Sequence, residues 1–187
     1  MILTATDNHG ASNQCTATVT VLDNTPPGIG ACPPGQTVNA TSRAGAVVTF
    51  ATPIATDNCS VASINCLPIS GSIFPIGTTT VTCTAMDGSG NTATCSFAVK
   101  VRSSTEQLTD LIALVQSLSI EAGVKNALIV KLRAALAALN ASDSPTDCAR
   151  LQDFINLVNA QTGKKLTAAS SNCVAWAAMR IRAVLGC

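Results

Sequence analysis

The chain has no tyrosine, one tryptophan, one histidine and, before Glu106, no glutamate at all. Charged residues fill only 11% of its 187 positions, and the net charge is +1. Each scarcity excludes something. A near-neutral chain lacks the basic footprint of a nucleic-acid or anionic-membrane binder. With His9 as the sole imidazole, a Ser-His-Asp or Cys-His site would depend on one turn residue near the start of the chain. No nucleophile-elbow, dinucleotide or phosphate-loop glycine motif occurs. The sequence is therefore read as non-catalytic, with no cofactor. Residues 58–86 carry no charge, but they are crowded with Thr, Ser, Asn, Gly and Pro. They could not satisfy their backbone in lipid as a helix, and no membrane insertion is expected.

What the chain has in excess is cysteine. Nine are present, none in a C-x-x-C pair, which favours disulfides in an oxidising compartment over zinc. Cys59 and Cys66, with six residues between them, make a poor zinc pair. Asp87-Gly88-Ser89-Gly90-Asn91 resembles the front of a calcium loop, but Ala98 stands where the closing glutamate belongs. It reads as a hairpin turn, and Asp57-Asn58 as an Asx turn. No metal is expected. The opening residues have neither a basic nor an apolar leader, so an export signal is expected on a portion upstream of this chain.

Composition changes near Ser103-Ser104. The first 104 residues are rich in Thr, Val, Gly and Pro and read as strands and turns; the rest is rich in Ala and Leu and reads as helices. A repeat is also visible. Thr4-Ala5-Thr6-Asp7, Gly10, Cys15, Val19 and Val21 recur 80 positions later as Thr84-Ala85-Met86-Asp87, Gly90, Cys95, Val99 and Val101. Residues 1–22 thus read as the closing hairpin of a preceding copy. Residues 23–103 read as a complete copy and 104–187 as a helical domain. Strands are expected over 36–41, 46–50, 61–66, 78–86 and 92–101, forming an antiparallel sandwich.

Within the complete copy, several motifs follow in order: Asp23-Asn24-Thr25-Pro26-Pro27, Cys32-Pro33, Ala46-Val47-Val48-Thr49-Phe50, Ala55-Thr56-Asp57-Asn58-Cys59, then Phe74-Pro75-Ile76-Gly77-Thr78 through Cys83, and Asp87-Gly88-Ser89-Gly90-Asn91 through Cys95-Ser96-Phe97. This series resembles the hyalin repeat, or HYR, module. The resemblance implies an immunoglobulin-like β-sandwich of extracellular and cell-surface proteins, associated with adhesion and without enzymatic activity. It also implies the pairs Cys32–Cys95 and Cys66–Cys83. Cys59 is left unpaired, because Ala44 stands where the resemblance leads one to expect its partner. A rival pairing stays open, since a hairpin centred on Ser89 sets Cys83 opposite Cys95.

Four helices are expected. The first starts at Ser104 with Gln107 in the capping-box position and buries Leu108, Leu111, Ile112, Val115 and Leu118. The second covers about 124–139, with Leu128, Leu132, Ala135, Leu136 and Leu139 inward. The third starts at Ser144-Pro145-Thr146-Asp147 and buries Cys148, Leu151, Phe154, Ile155 and Val158. The fourth follows a Thr167 cap and buries Val174, Ala178, Ile181 and Leu185. If the last two fold back about Gly163-Lys164, Cys148 meets Cys187, and Cys173 is left free in or near the core. Cys15 is also expected to be unpaired. Phe154-Ile155, Asn159-Ala160-Gln161, Gly163-Lys164-Lys165-Leu166-Thr167 and Leu185-Gly186-Cys187 resemble the FIMAH-type helical domain of bacterial secreted proteins.

The expected architecture is multi-domain, β then α: an immunoglobulin-like sandwich followed by a four-helix bundle. The expected role is a structural or adhesive module of a larger exported repeat protein, at the cell surface or outside it. Its partners would be neighbouring repeats and a protein or glycan surface. The alternative is an accessory glycan- or protein-binding module attached to a secreted enzyme. Against a glycan platform, Phe50, Phe74, Phe97, Phe154 and Trp176 mostly fall on apolar faces.

Overall fold

The computed structural model describes residues 2–141 and 144–187; Met1, Ser142 and Asp143 lie outside them. All its strands precede all its helices. Strands β1 (Ile2–Thr6) and β2 (Ser12–Thr16) form a hairpin in which Ile2 faces Thr16 and Leu3 faces Cys15. Asp7 Oδ1 accepts from the N–H groups of His9 and Ala11, and Gly10 takes φ 86° to close the turn. Strands β9 (Gly77–Asp87) and β10 (Thr92–Arg102) repeat this hairpin 80 residues on, with Thr82 facing Ser96 and Cys83 facing Cys95. There Asp87 Oδ1 accepts from Ser89 and Asn91, and Gly90 takes φ 91°. The two turns use the same carboxylate at the same step. One difference follows Thr16: Val19 and Val21, the counterparts of Val99 and Val101 in β10, lie in no strand and are exposed.

The main sheet adds β4 (Gln36–Asn39) and β7 (Val61–Leu67) in the order β4-β10-β9-β7. β4 runs parallel to β10, a departure from a wholly antiparallel arrangement. The opposite layer consists of two short pairs, β3 (Gly28–Ile29) with β6 (Ala55–Thr56) and β5 (Ala46–Val47) with β8 (Ile73–Phe74). The strand expected over 46–50 pairs for only two residues. Past Val47 its backbone turns to a loop, Val48 N–H to Ser72 O and Phe50 N–H to the Ser70 hydroxyl.

Period-two patterning sets the core. Val81, Cys83 and Ala85 of β9, and Phe97, Val99 and Val101 of β10, point inward. They meet Ala46, Val48 and Phe74, and Phe50 packs edge-on against Phe74 and Phe97. Disulfides join Cys32 to Cys95 and Cys66 to Cys83. Cys83 faces Cys66 on one side and Cys95 on the other, and its sulfur bonds to Cys66. The rival Cys83–Cys95 link therefore does not form. Ala44 is not a vacant partner position for Cys59. Ala44 lies in the turn beside Phe74, just before β9 begins, whereas Cys59 lies beside Asp87, where β9 ends. Eleven residues of strand separate them, roughly 35 Å.

Helices α1 (Ser104–Ser117), α2 (Ala122–Asn140), α3 (Ser144–Gln161) and α4 (Ala168–Leu185) pack around a second core. It holds Leu108, Leu128, Leu132, Leu151, Phe154 and Ile181, all nearly inaccessible to solvent. Thr167 caps α4, Gly186 ends it at φ 78°, and a disulfide ties Cys148 to Cys187. The cap of α1 falls one residue earlier than expected. Ser103 and Glu106 form the capping box, which turns Gln107 inward.

Two other expectations on α4 are corrected. Trp176 is 60% exposed, and Cys173 is exposed instead of lying in or near the core. Val174, Ala178 and Ile181 take the inward stripe, and Trp176, two positions from Val174, falls about 200° around the helix from it.

Candidate functional site

The titratable groups that tertiary structure gathers lie at the end of the sandwich away from the helices. Asp23 from the linker, Asp57 from the loop after β6 and Asp87 from the end of β9 bring one carboxylate oxygen each to within 4.8 Å of one another. Sequence singled out Asp57 and Asp87 as separate turn residues; nothing in it marked their meeting with Asp23. None of the ion pairs formed among the described residues involves the three.

Neutral donors hold the cluster together. Asn91 donates its side-chain amide to Asp87 Oδ2 at 2.8 Å and to the backbone carbonyl of Asp23 at 3.0 Å. Asp57 Oδ1 accepts from Cys59 and Ser60 N–H, and Asp23 Oδ1 accepts from Thr25 N–H. Asp87 is buried, which would raise its pKa, but the bonds from the Asn91 side chain and from the Asn91, Ser89 and Gly90 backbone outweigh that and hold it below the usual carboxylate range. Asn91 therefore pins the linker to the β9–β10 turn. The cluster's three oxygens are also of the type a hard divalent cation takes, and they are the residues that could hold one.

Cys59 stands beside this charge. Its thiol is pushed above the ordinary cysteine value, chiefly by the negative charge of Asp23, then by desolvation, with Asp57 and Asp87 adding to the effect. A thiol so placed is a poor nucleophile. Cys15 and Cys173 are also unbonded and exposed. His9 is exposed in the β1–β2 turn, where its backbone N–H donates to Asp7 Oδ1.

At the other end, the sandwich meets the helices directly. Val184 of α4 is 2% exposed and belongs to the apolar cluster of the sandwich. Arg43 donates through Nε to the carbonyl of Leu185 at 2.6 Å. Arg102 pairs with Asp110, and Lys100 with Glu106 at 2.8 Å.

The strands thus form a disulfide-linked, two-layer β-sandwich module. Residues 22–101 match the family model described as the HYR domain, so the sandwich is similar to that domain. A protein named hyalin from Strongylocentrotus purpuratus is 40% identical over 104 residues. That match covers 52% of this chain but 8% of the relative, so the chain spans less than a tenth of its length.

Proposed function

We propose that this chain is a non-catalytic, adhesion-type extracellular module, one repeat of an array followed by a helical domain. The observation that carries this reading is the match to the HYR domain over residues 22–101, preceded by a hairpin of the same register and turn. Three disulfides in so small a chain suit an oxidising, extracellular setting. In this reading residues 2–22 close a preceding copy, and in such an array Cys15, the counterpart of Cys95, pairs with that copy's counterpart of Cys32. Neighbouring repeats are then the first partners of the chain, and a protein or glycan surface the second. The glycan alternative gains one specific observation, the exposure of Trp176.

The test is retention of cells or extracellular matrix on beads carrying the oxidised full chain. Retention above that of beads carrying the reduced, alkylated chain supports the adhesive reading. Equal retention on both overturns it.

A further inference from the structure

Trp176 is the only tryptophan in the chain, and 60% of its surface faces solvent on α4. Its ring is held in place. The Arg180 guanidinium lies 4.9 Å from the ring centre, and Arg180 Nε donates to Gln107 Oε1 at 3.2 Å. Gln107 is itself buried between the two domains, so the indole's position traces back to a fixed point of the fold.

Around the ring runs an open groove lined by Asn159, Asn172, Cys173, Ala175, Trp176 and Met179. None of these six side chains is charged; the Arg180 guanidinium over the ring is tied to Gln107 and leaves the rest of the indole open. Asn159 and Asn172 are exposed, and neither side-chain amide makes a hydrogen bond within the described protein. The apolar part is small, since Trp176 and Met179 are its only exposed large hydrophobic side chains. A stable protein interface needs about 800 Å² per partner with an apolar centre, and one exposed indole presents at most about 250 Å². A small neutral ligand with one apolar face and a rim of hydroxyls matches this lining. A pyranose ring has that form. Its axial C–H face is weakly positive and stacks on the negative face of an indole, and its hydroxyls pair with the donor and acceptor of an amide.

We propose that the Trp176 groove binds a neutral saccharide, one sugar ring stacking on the indole and its hydroxyls meeting the amides of Asn159 and Asn172. The inference rests on the glycan reading of the module and places the contact on the helical domain.

Because the chain has a single tryptophan, its emission reports the groove alone. The oxidised full chain is titrated with oligosaccharides of glucose, galactose, mannose and N-acetylglucosamine, and with chondroitin sulfate as a charged comparator. The expected result is a saturable emission change with at least one neutral probe, half-complete at about millimolar concentration or below. The double variant Asn159→Ala/Asn172→Ala should weaken it by at least about tenfold. Trp176→Ala, followed by calorimetry, should abolish binding with the circular dichroism spectrum unchanged. A flat response to every neutral probe, a response to chondroitin sulfate alone, or binding that survives Trp176→Ala overturns the proposal. The bead assay separates the two readings: adhesion with flat emission sinks the groove alone, and an emission change without adhesion sinks the adhesive reading alone.

Discussion

Gln107 donates its side-chain amide to the backbone carbonyl of Ala40, 67 positions earlier in the chain, at 3.2 Å. The same amide donates to the carbonyl of Arg102, and its oxygen accepts from Arg180. At 3% exposure this one side chain satisfies polar groups from both domains where water does not reach. With Val184 seated in the sandwich core, the junction is a built interface and not a flexible linker.

Gln107→Leu therefore leaves buried polar partners unsatisfied, and should lower stability by about 1–3 kcal/mol. Val184→Asp places a charge in the sandwich core. It should split urea unfolding of the full chain into two transitions, where the parent shows one. A single transition for Val184→Asp would refute the coupling.

The N-terminus of α1 should be acid-sensitive. Lys100 first, then the Ser103 backbone N–H, hold the Glu106 carboxyl down at about 2, against 4.5 for the free group. A depressed carboxyl contributes stability that is whole above about pH 4.5 and is lost as pH falls through about 2. Glu106→Gln should cost about 0.5–1 kcal/mol at neutral pH, since the ion pair is largely solvated. The difference from the parent should vanish near pH 2, as measured by urea melts across that window.

Asp57→Asn keeps an oxygen for the N–H groups of Cys59 and Ser60 but removes one of three crowded charges. In chelator-treated buffer the variant should melt higher than the parent, and the gain should shrink at high salt. Its Cys59 thiol should also alkylate faster at neutral pH, because one of the charges opposing the thiolate is gone. Peptide mapping after timed iodoacetamide labelling reads this directly.

Gly45 and Gly10 offer a contrast. Gly45 has φ 120°, and a Cβ there would lie 1.8 Å from the carbonyl oxygen of Phe74. Gly10 has φ 86° with open space around it. Gly10→Ala should cost about 1–2 kcal/mol from backbone strain alone. Gly45→Ala adds a clash with fixed backbone and should exceed about 3 kcal/mol, visible as a much lower melting temperature.

Local pattern carried much of this molecule. Alternation along 81–85 and 97–101 named the inward face of the main sheet, because a strand has only two faces and one is buried. Helical spacing named Leu108, Leu128, Leu151 and Ile181 for the same kind of reason. The recurrence of Asp7, Gly10 and Cys15 at Asp87, Gly90 and Cys95 marked a hairpin whose register the fold repeats. Where two local solutions were equally good, sequence stopped short. Ser103 with Glu106 and Ser104 with Gln107 both spell a capping box, and the first is used where Gln107 reaches Ala40. Cys83 has a cysteine opposite it on each side, and only the formed sheet shows which one its sulfur meets. On α4, alanines blur the boundary between faces, so the exposure of Trp176 and the burial of Val184 were set by what packs against the helix. Asp23, Asp57 and Asp87 are each ordinary turn residues in sequence. Their meeting is a product of chain return, because strand order alone brings positions dozens of residues apart to one end of the sandwich.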